Sequence, residues 1–326
     1  IQAGLNVSEG LISAGSEHSC AILQDGELNC WGGNGGGQLG DGTRLDKKTP
    51  QNVNLSTNLS TLAVTAASAH TCAILTDGSV RCWGTNSDGQ VGDNSFTDRL
   101  TPTSVSLPTG RKAVQISSGD QHTCAILDDG SLVCWGDNEF GQIGDNTTTD
   151  RNSPTRVHFS SSRSVIGIGI GSSHTCALLN DTTMHCWGDN QHAQTGSIGQ
   201  YTLEPSQVNF WTNLSVLDVA AGGGHTCAML NDSTVRCWGW NDKGQIGDDS
   251  DNDRTTPREA HLPDGSTPVN IVAGYEHTCA TLSDGSLRCW GSNAQGQVGD
   301  GSQDDKREEP RTVVLPRLRT SVLIVA

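Results

Sequence analysis

Apolar residues along this chain fall in short paired runs. In the first pair, Cys20-Ala-Ile-Leu23 and Leu28-Asn-Cys30-Trp31 flank the polar stretch Gln24-Asp-Gly-Glu27. Two runs of strand length around a Gly-containing turn predict a β-hairpin. A three-residue loop, Gln24 to Gly26, sets Ile22 opposite Leu28 and Cys20 opposite Cys30; a two-residue loop would set Ala21 opposite Cys30. In the first register the sulfurs share a face and the Cα atoms stand about 4.5–5.5 Å apart, which suits a disulfide. Cys20, Ile22, Leu28 and Cys30 then line one face, and Ala21, Leu23 and Trp31 the other. Neither face is mainly polar, so the hairpin needs neighbours on both sides, as stacked or radial repeats provide.

The hairpin recurs. Its first cysteine stands at 20, 72, 124, 176, 227 and 279, which gives spacings of 52, 52, 52, 51 and 52. The second follows ten positions later each time, so all 12 cysteines pair: Cys20–Cys30, Cys72–Cys82, Cys124–Cys134, Cys176–Cys186, Cys227–Cys237 and Cys279–Cys289. An all-β, Gly-rich period near 50 residues predicts propeller blades. The unbroken period predicts one domain over residues 1–326, with repeats near 11–62, 63–114, 115–166, 167–217, 218–269 and 270–320. Short lead-in strands such as Ile12-Ser-Ala-Gly15 and Val272-Ala-Gly274 precede the motif, and Ile1-Gln-Ala-Gly4 echoes them. Val322-Leu-Ile-Val-Ala326 reads as one more lead-in, so residues 321–326 are expected to close the ring beside the N-terminal region. A chain that continues into further repeats is the alternative.

A second signature follows each Trp-Gly, complete in five copies: Asn34-Gly-Gly-Gly-Gln38-Leu-Gly-Asp41 and its counterparts from Asn86, Asn138, Asn241 and Asn293. The run Cys-Trp-Gly-x-Asn-x-x-Gly-Gln-Leu/Ile/Val-Gly-Asp, with Ala-Gly-x-x-His-Thr before it, resembles the regulator-of-chromosome-condensation (alpha-tubulin suppressor-like) repeat from about residue 11 to 313. The resemblance implies four-stranded blades in a closed β-propeller. Familiar members have seven blades where six copies recur here, so a seven-bladed ring or a longer array is the alternative fold. The paired cysteines depart from the intracellular members. The nucleotide-exchange activity associated with the family does not carry over residue by residue, because only scaffold positions match.

Candidate chemistry sits in the loops. Gly32-Gly-Asn-Gly-Gly-Gly37 resembles a phosphate cradle, but no Gly-Lys-Ser/Thr follows and turn geometry explains five copies better. Acidic segments follow each Gly-Asp, with Lys or Arg and then Pro behind them. Asp41, Asp46, Asp93, Asp98, Asp145, Asp150, Asp248, Asp253, Asp300 and Asp305 are therefore candidate Ca²⁺ ligands. The rival reading has them capping turns and pairing with the following base. Asp249-Ser-Asp251-Asn-Asp253 begins like an EF-hand loop, yet Arg254 and Ala260 stand where Gly and Glu are required. The fourth copy lacks the acidic segment and brings His174, His185 and His192 near one another in sequence; a metal set and plain divergence are the two readings. The six motif histidines, at 18, 70, 122, 174, 225 and 277, are read as a hydrogen bond repeated inside each blade rather than as a metal-binding ring.

Composition narrows the function. Lys and Arg number 20 against 36 Asp and Glu, a formal charge of −16, which disfavours nucleic acid and anionic membranes as partners. No apolar run approaches the ~20 residues of a membrane span. Regularly paired cysteines imply an oxidising compartment, and a start at Ile1 fits a chain whose signal peptide has been removed. A secreted or cell-surface protein is expected, with possible glycosylation at the sequons of Asn6, Asn54, Asn58, Asn146, Asn180, Asn213 and Asn231. No catalytic constellation stands out and no cofactor is implied beyond the Ca²⁺ candidates. The expected function is an extracellular, non-catalytic binding or adhesion propeller that recognises a protein or glycan. Its recognition segments would be the variable ones, Arg44–Asn58, Phe96–Thr109, Thr147–Ser164, Ile198–Leu214 and Asp249–Thr267, and its acidity favours a basic or neutral partner. The alternative is a subunit of a surface layer or filament, self-assembled through edge strands or termini.

Overall fold

The structure, a computed structural model, describes residues 11–160, 163–210, 214–302 and 304–315. Every regular element among them is a β-strand. In the first sheet the lead-in β1 (Ile12–Ala14) pairs with β2 (His18–Ile22), β2 with β3 (Leu28–Gly32), and β3 with β4 (Lys47–Asn52), all antiparallel. Cys20 faces Cys30 and Ile22 faces Leu28, while Gly26 at φ +84° closes the three-residue turn. All six expected disulfides are formed. Their Cα atoms lie 4.0–4.1 Å apart, closer than expected because each bridge occupies the non-hydrogen-bonded site where an antiparallel pair approaches most.

The four-strand meander recurs five times. The second sheet is β5 (Thr61–Ala66), β6 (His70–Leu75), β7 (Val80–Gly84) and β8 (Arg99–Ser104); the third is β9 (Ala113–Ser118), β10 (His122–Leu127), β11 (Leu132–Gly136) and β12 (Arg151–Arg156). The fourth comprises β13 (Val165–Ile170), β14 (His174–Leu179), β15 (Met184–Asp189) and β16 (Tyr201–Gln207). The fifth comprises β17 (Val216–Ala221), β18 (His225–Leu230), β19 (Val235–Gly239) and β20 (Arg254–Glu259). The sixth is β21 (Pro268–Ala273), β22 (His277–Leu282), β23 (Leu287–Ser292) and β24 (Lys306–Thr312). These are the six four-stranded blades of a β-propeller fold. The repeat boundaries expected at 62/63, 114/115, 217/218 and 269/270 fall inside lead-in strands, because each begins with a register shift at its second residue. The closing strand expected at 321–326 lies outside the described residues.

The described residues fall into two compact units, one up to Val165 and one from Ile166. Each blade packs mainly on its neighbours in a repeat protein, so period alone does not fix where such a chain divides. Within each unit the core lies between blades. Cys20, Leu28, Leu39 and Val53 pack against Val64, Leu75 and Trp83 of the next blade. In the second unit, Cys227, Val235 and Ile246 pack against Ile271, Ala280 and Trp290.

One polar lock recurs at these seams. Trp83 Nε1 donates to the Gln38 carbonyl of the preceding blade at 2.8 Å, and Thr71 Oγ1 donates to the same oxygen at 2.8 Å. His18 Nε2 lies 2.8 Å from Thr71 Oγ1. The threonine has spent its one proton on Gln38, so His18 must donate, which fixes the Nε2–H tautomer. His225, Thr278, Gln245 and Trp290 repeat the arrangement. The motif histidine thus bonds to the next blade, not within its own as expected. The preceding glycine is explained too: a Cβ on Gly222 would stand 2.3 Å from His225 Cε1 and 2.4 Å from the Gly274 carbonyl.

Each outer strand carries a proline: Pro50, Pro102, Pro154, Pro205, Pro257 and Pro310. In every blade the pairing between third and fourth strands shifts register beside that proline. The exposed edges are thereby bulged and short of a donor.

Candidate binding surface

Each blade has two ends. At one lie the turn before the motif histidine and the loop after Trp-Gly, tied by bonds such as Thr85 N to the Ala69 carbonyl (2.9 Å) and Trp240 N to the Gly224 carbonyl (2.8 Å). At the other lie the hairpin turn and the connection to the next lead-in, joined by Thr61 N to the Gly26 carbonyl at 3.0 Å. The variable segments expected to carry recognition run from the first end, along the outer strand, to the second. Their polar, proline-bearing sequence read as loop, yet each contains an edge strand held by its neighbour.

The loop after Trp-Gly is built around its asparagine. Asn34 Nδ2 donates to Asp41 Oδ1 and to the carbonyls of Thr43 and Leu45, while its Oδ1 accepts from Leu39 N. Asp46 Oδ1 accepts from Asn34 N, and Asp41 Oδ1 from Thr43 N and Oγ1. Asp98, Asp150 and Asp253 take the corresponding bond from Asn86, Asn138 and Asn241. The first aspartate of each loop pairs with the following base: Asp41 with Lys47 at 3.2 Å, and Asp93, Asp145, Asp248 and Asp300 with Arg99, Arg151, Arg254 and Arg307 at 2.5 Å. Asp305 stands beside the backbone bond from Asn293 N to its own carbonyl at 2.7 Å. The Ca²⁺ candidates are thus occupied largely by donors of the protein itself. Among the described residues no group of three His, Cys, Asp or Glu is arranged to hold a metal. Burial raises the Asp300 carboxyl, but hydrogen bonds from Ser302 and Arg307 outweigh it and bring it down to about 2.

The histidines of the fourth copy are not brought together. His174 is buried at a seam, with Nε2 2.8 Å from Thr226 Oγ1. His185 is half-buried in β15, and burial lowers its pKa. His192 lies in the loop, with Nδ1 2.8 Å from Asp253 Oδ2. The seam histidines are neutral at pH 7: burial pushes His18 down to about 4 and, with the neighbouring motif histidine adding to it, His70 and His122 to about 3. His225 reaches about 3 through burial and the flanking charges of His174 and His277. Sequon residues Asn54, Asn58, Asn146, Asn180 and Asn231 are exposed; Asn6 and Asn213 lie outside the described residues.

One feature at the first end is not visible in any single repeat. His192 stacks on Trp240 with centroids 5.4 Å apart and planes at 28°. Tyr275 meets Trp240 edge-on at 6.3 Å and 88°, and Tyr275 is 61% exposed. The three residues come from three consecutive copies, and none is part of the repeat pattern. Gly223 and Gly224 lie beneath them. A Cβ on Gly223 would stand 3.1 Å from the Tyr275 ring, and one on Gly224 would stand 3.3 Å from Trp240 Cβ and 3.6 Å from His192 Cδ2. Asp253 holds His192, Asp242 follows two residues after Trp240, and Glu276 follows Tyr275. All five positions vary from copy to copy, so only the aromatic identity of His192, Trp240 and Tyr275 and the Gly223-Gly224 pair could have drawn notice in an alignment of the copies.

The sequence matches the RCC1-like domain over residues 2–326. It is 28% identical to the ultraviolet-B receptor UVR8 of Arabidopsis thaliana over 300 residues, 90% of this chain and 68% of that protein. It is also 28% identical to human E3 ubiquitin-protein ligase HERC2 over 304 residues, 92% of this chain but only 6% of HERC2. Among solved structures, Prp20p of Saccharomyces cerevisiae, described with its binding properties to Gsp1p and histones, superposes with a TM-score of 0.81. That likeness covers 94% of this chain and 77% of Prp20p at 23% identity, and so speaks for the fold alone.

Proposed function

Because the chain belongs to the RCC1-like domain family, we propose that it acts by binding a protein partner, not by catalysis. The surface is the blade end that carries the Asn-x-x-Gly-Gln loops. The observation that carries this reading is that His192, Trp240 and Tyr275, aromatic rings at positions the repeat leaves variable, gather with Gly223 and Gly224 in one patch at that end. Variable positions displayed on a repeated, rigid frame are where recognition resides, and here three of them bring rings together. Prp20p, which shares the fold, has binding properties to Gsp1p and histones, and protein binding in general is carried to this chain on that footing. A rigid frame with each hairpin closed by a disulfide lowers the ordering cost of association. The charge of −16 favours a basic partner.

The same reading makes the protein secreted or surface-exposed, since all 12 cysteines are bridged and none is free. It also makes the exposed sequons candidates for glycans. Assembly through edge strands draws no support from the outer strands, whose prolines and bulges oppose strand addition.

The test is capture from the native surroundings with the intact, oxidised protein, followed by affinity measurements on variants. Replacing the 190–200 loop by the 34–44 sequence should weaken binding, and replacing the edge segment 99–104 should leave it intact. The reverse ranking would refute the assignment of the surface.

A further inference from the structure

We propose that the His192–Trp240–Tyr275 patch is a seat for an arginine side chain of a basic segment in the partner. The inference rests on the binding reading above and gives it a chemistry.

Three observations converge. First, Trp240 and Tyr275 stand at 88° with centroids 6.3 Å apart, and the exposed Tyr275 ring offers a π face that attracts a cation. His192 stacks on the tryptophan at 5.4 Å, and Asp253 anchors that imidazole at 2.8 Å. Second, the floor is bare. The turn that precedes the motif histidine is Ser16-Glu17, Ser68-Ala69, Asp120-Gln121 and Ser172-Ser173 in earlier copies, and only here Gly223-Gly224. A side chain at Gly223 would press on the Tyr275 ring and carbonyl, at 3.1 and 2.6 Å. Third, the rim is acidic. Asp242 and Glu276 border the rings in sequence and Asp253 holds His192; of the bases beside them, Lys243 is held on Asp242 at 2.9 Å and Arg254 on Asp248 at 2.5 Å. That leaves the Glu276 carboxylate for an incoming cation, with Asp253, which already accepts from Asn241 and His192, adding negative charge behind the imidazole.

Arginine fits better than lysine. Its planar guanidinium stacks on aromatic faces while its N–H groups fork to carboxylates, whereas an ammonium is a compact, strongly hydrated point charge. The rim supplies carboxylates, which only accept hydrogen bonds, and this matches a group that only donates. A sugar ring could also stack on Trp240, but it would leave those carboxylates without a cation to neutralise.

The experiment titrates the oxidised protein with acetyl-Gly-Arg-Gly-Arg-Gly-amide, followed by calorimetry and tryptophan fluorescence. The citrulline analogue of that peptide and maltohexaose serve as comparisons. Saturable binding of the arginine peptide is expected, lost in the citrulline analogue and weakened as salt rises to about 0.5 M. Tyr275→Ala and Trp240→Ala should each weaken it about tenfold. Tyr275→Leu keeps apolar volume without the π face and should behave as Tyr275→Ala, which separates ring loss from misfolding. Equal binding of the citrulline peptide, indifference to Tyr275→Leu, absence of saturable binding, or maltohexaose binding that those substitutions abolish would each overturn the proposal. The captured partner distinguishes the two levels. If it binds Tyr275→Leu as tightly as the parent protein, the arginine seat fails while the binding reading stands. If it also ignores replacement of the 190–200 loop, the assigned surface fails together with the seat.

Discussion

Mild acid should destabilise this protein through its buried seam histidines before its paired carboxylates are protonated. His18, His70, His122 and His225 are at most 3% exposed, and burial lowers them to about 4, 3, 3 and 3. Their unfolded value is about 6.5. Above pH 6.5 neither state is protonated and the linkage contributes nothing. Below it, the unfolded chain binds protons that the folded chain refuses, so stability falls with pH until the folded values are reached. Each histidine costs about 1.4 kcal/mol per pH unit in that window. At pH 5 this is roughly 2 kcal/mol per residue and about 8 kcal/mol for four, comparable to the whole stability of an ordinary domain. A second loss, below about pH 4, belongs to paired carboxylates such as Asp93, Asp145 and Asp300, whose lowered values make their contribution vanish on protonation. The assay is proton uptake: unfolding the oxidised protein in concentrated urea at pH 5 without buffer should take up at least about four protons. His70→Gln should reduce that by about one. Uptake of fewer than about two, or an unchanged urea midpoint between pH 7 and pH 5, would show that the histidines are not held neutral by burial.

Other perturbations have sharp signs. Thr278→Val removes the acceptor of His225 and should cost about 1–3 kcal/mol in urea unfolding, whereas Thr278→Ser should cost little. Gly222→Ala should lower the melting temperature markedly, since its Cβ would meet His225 Cε1 at 2.3 Å and the Gly274 carbonyl at 2.4 Å; the control Gly265→Ala meets nothing within 4 Å but sits at φ +75° and should cost less. Removing one bridge by Cys124→Ala with Cys134→Ala should cost no more than about 2–3 kcal/mol, because the loop it closes is short. A far larger loss would mean that the bridges hold more than their own hairpins.

Local physics made much of the fold readable. Hairpin register follows from turn length and period-2 alternation, which is why Cys20 opposite Cys30 and Ile22 opposite Leu28 were legible. Partners across a seam were not. His18 reaches Thr71 and Trp83 reaches Gln38 over separations of 53 and 45 residues, and nothing in one copy says whether its histidine turns inward or to the next blade. The outer strands hid for another reason: Lys47-Lys-Thr-Pro-Gln-Asn52 has little strand propensity and becomes a strand only by pairing with β3. The candidate site was least legible. His192, Trp240 and Tyr275 lie in separate copies, where each looks like ordinary drift, and only blade stacking makes them neighbours.

The central claim is that recognition belongs to the loop-bearing end of the fourth to sixth blades. Amide hydrogen exchange on the oxidised protein, alone and saturated with its captured partner, tests it most directly. The account predicts new protection at the 190–200 loop, Gly223–Gly224, 240–253 and Tyr275–Glu276, with β4, β8 and β12 unchanged. Protection confined to those outer strands would contradict it.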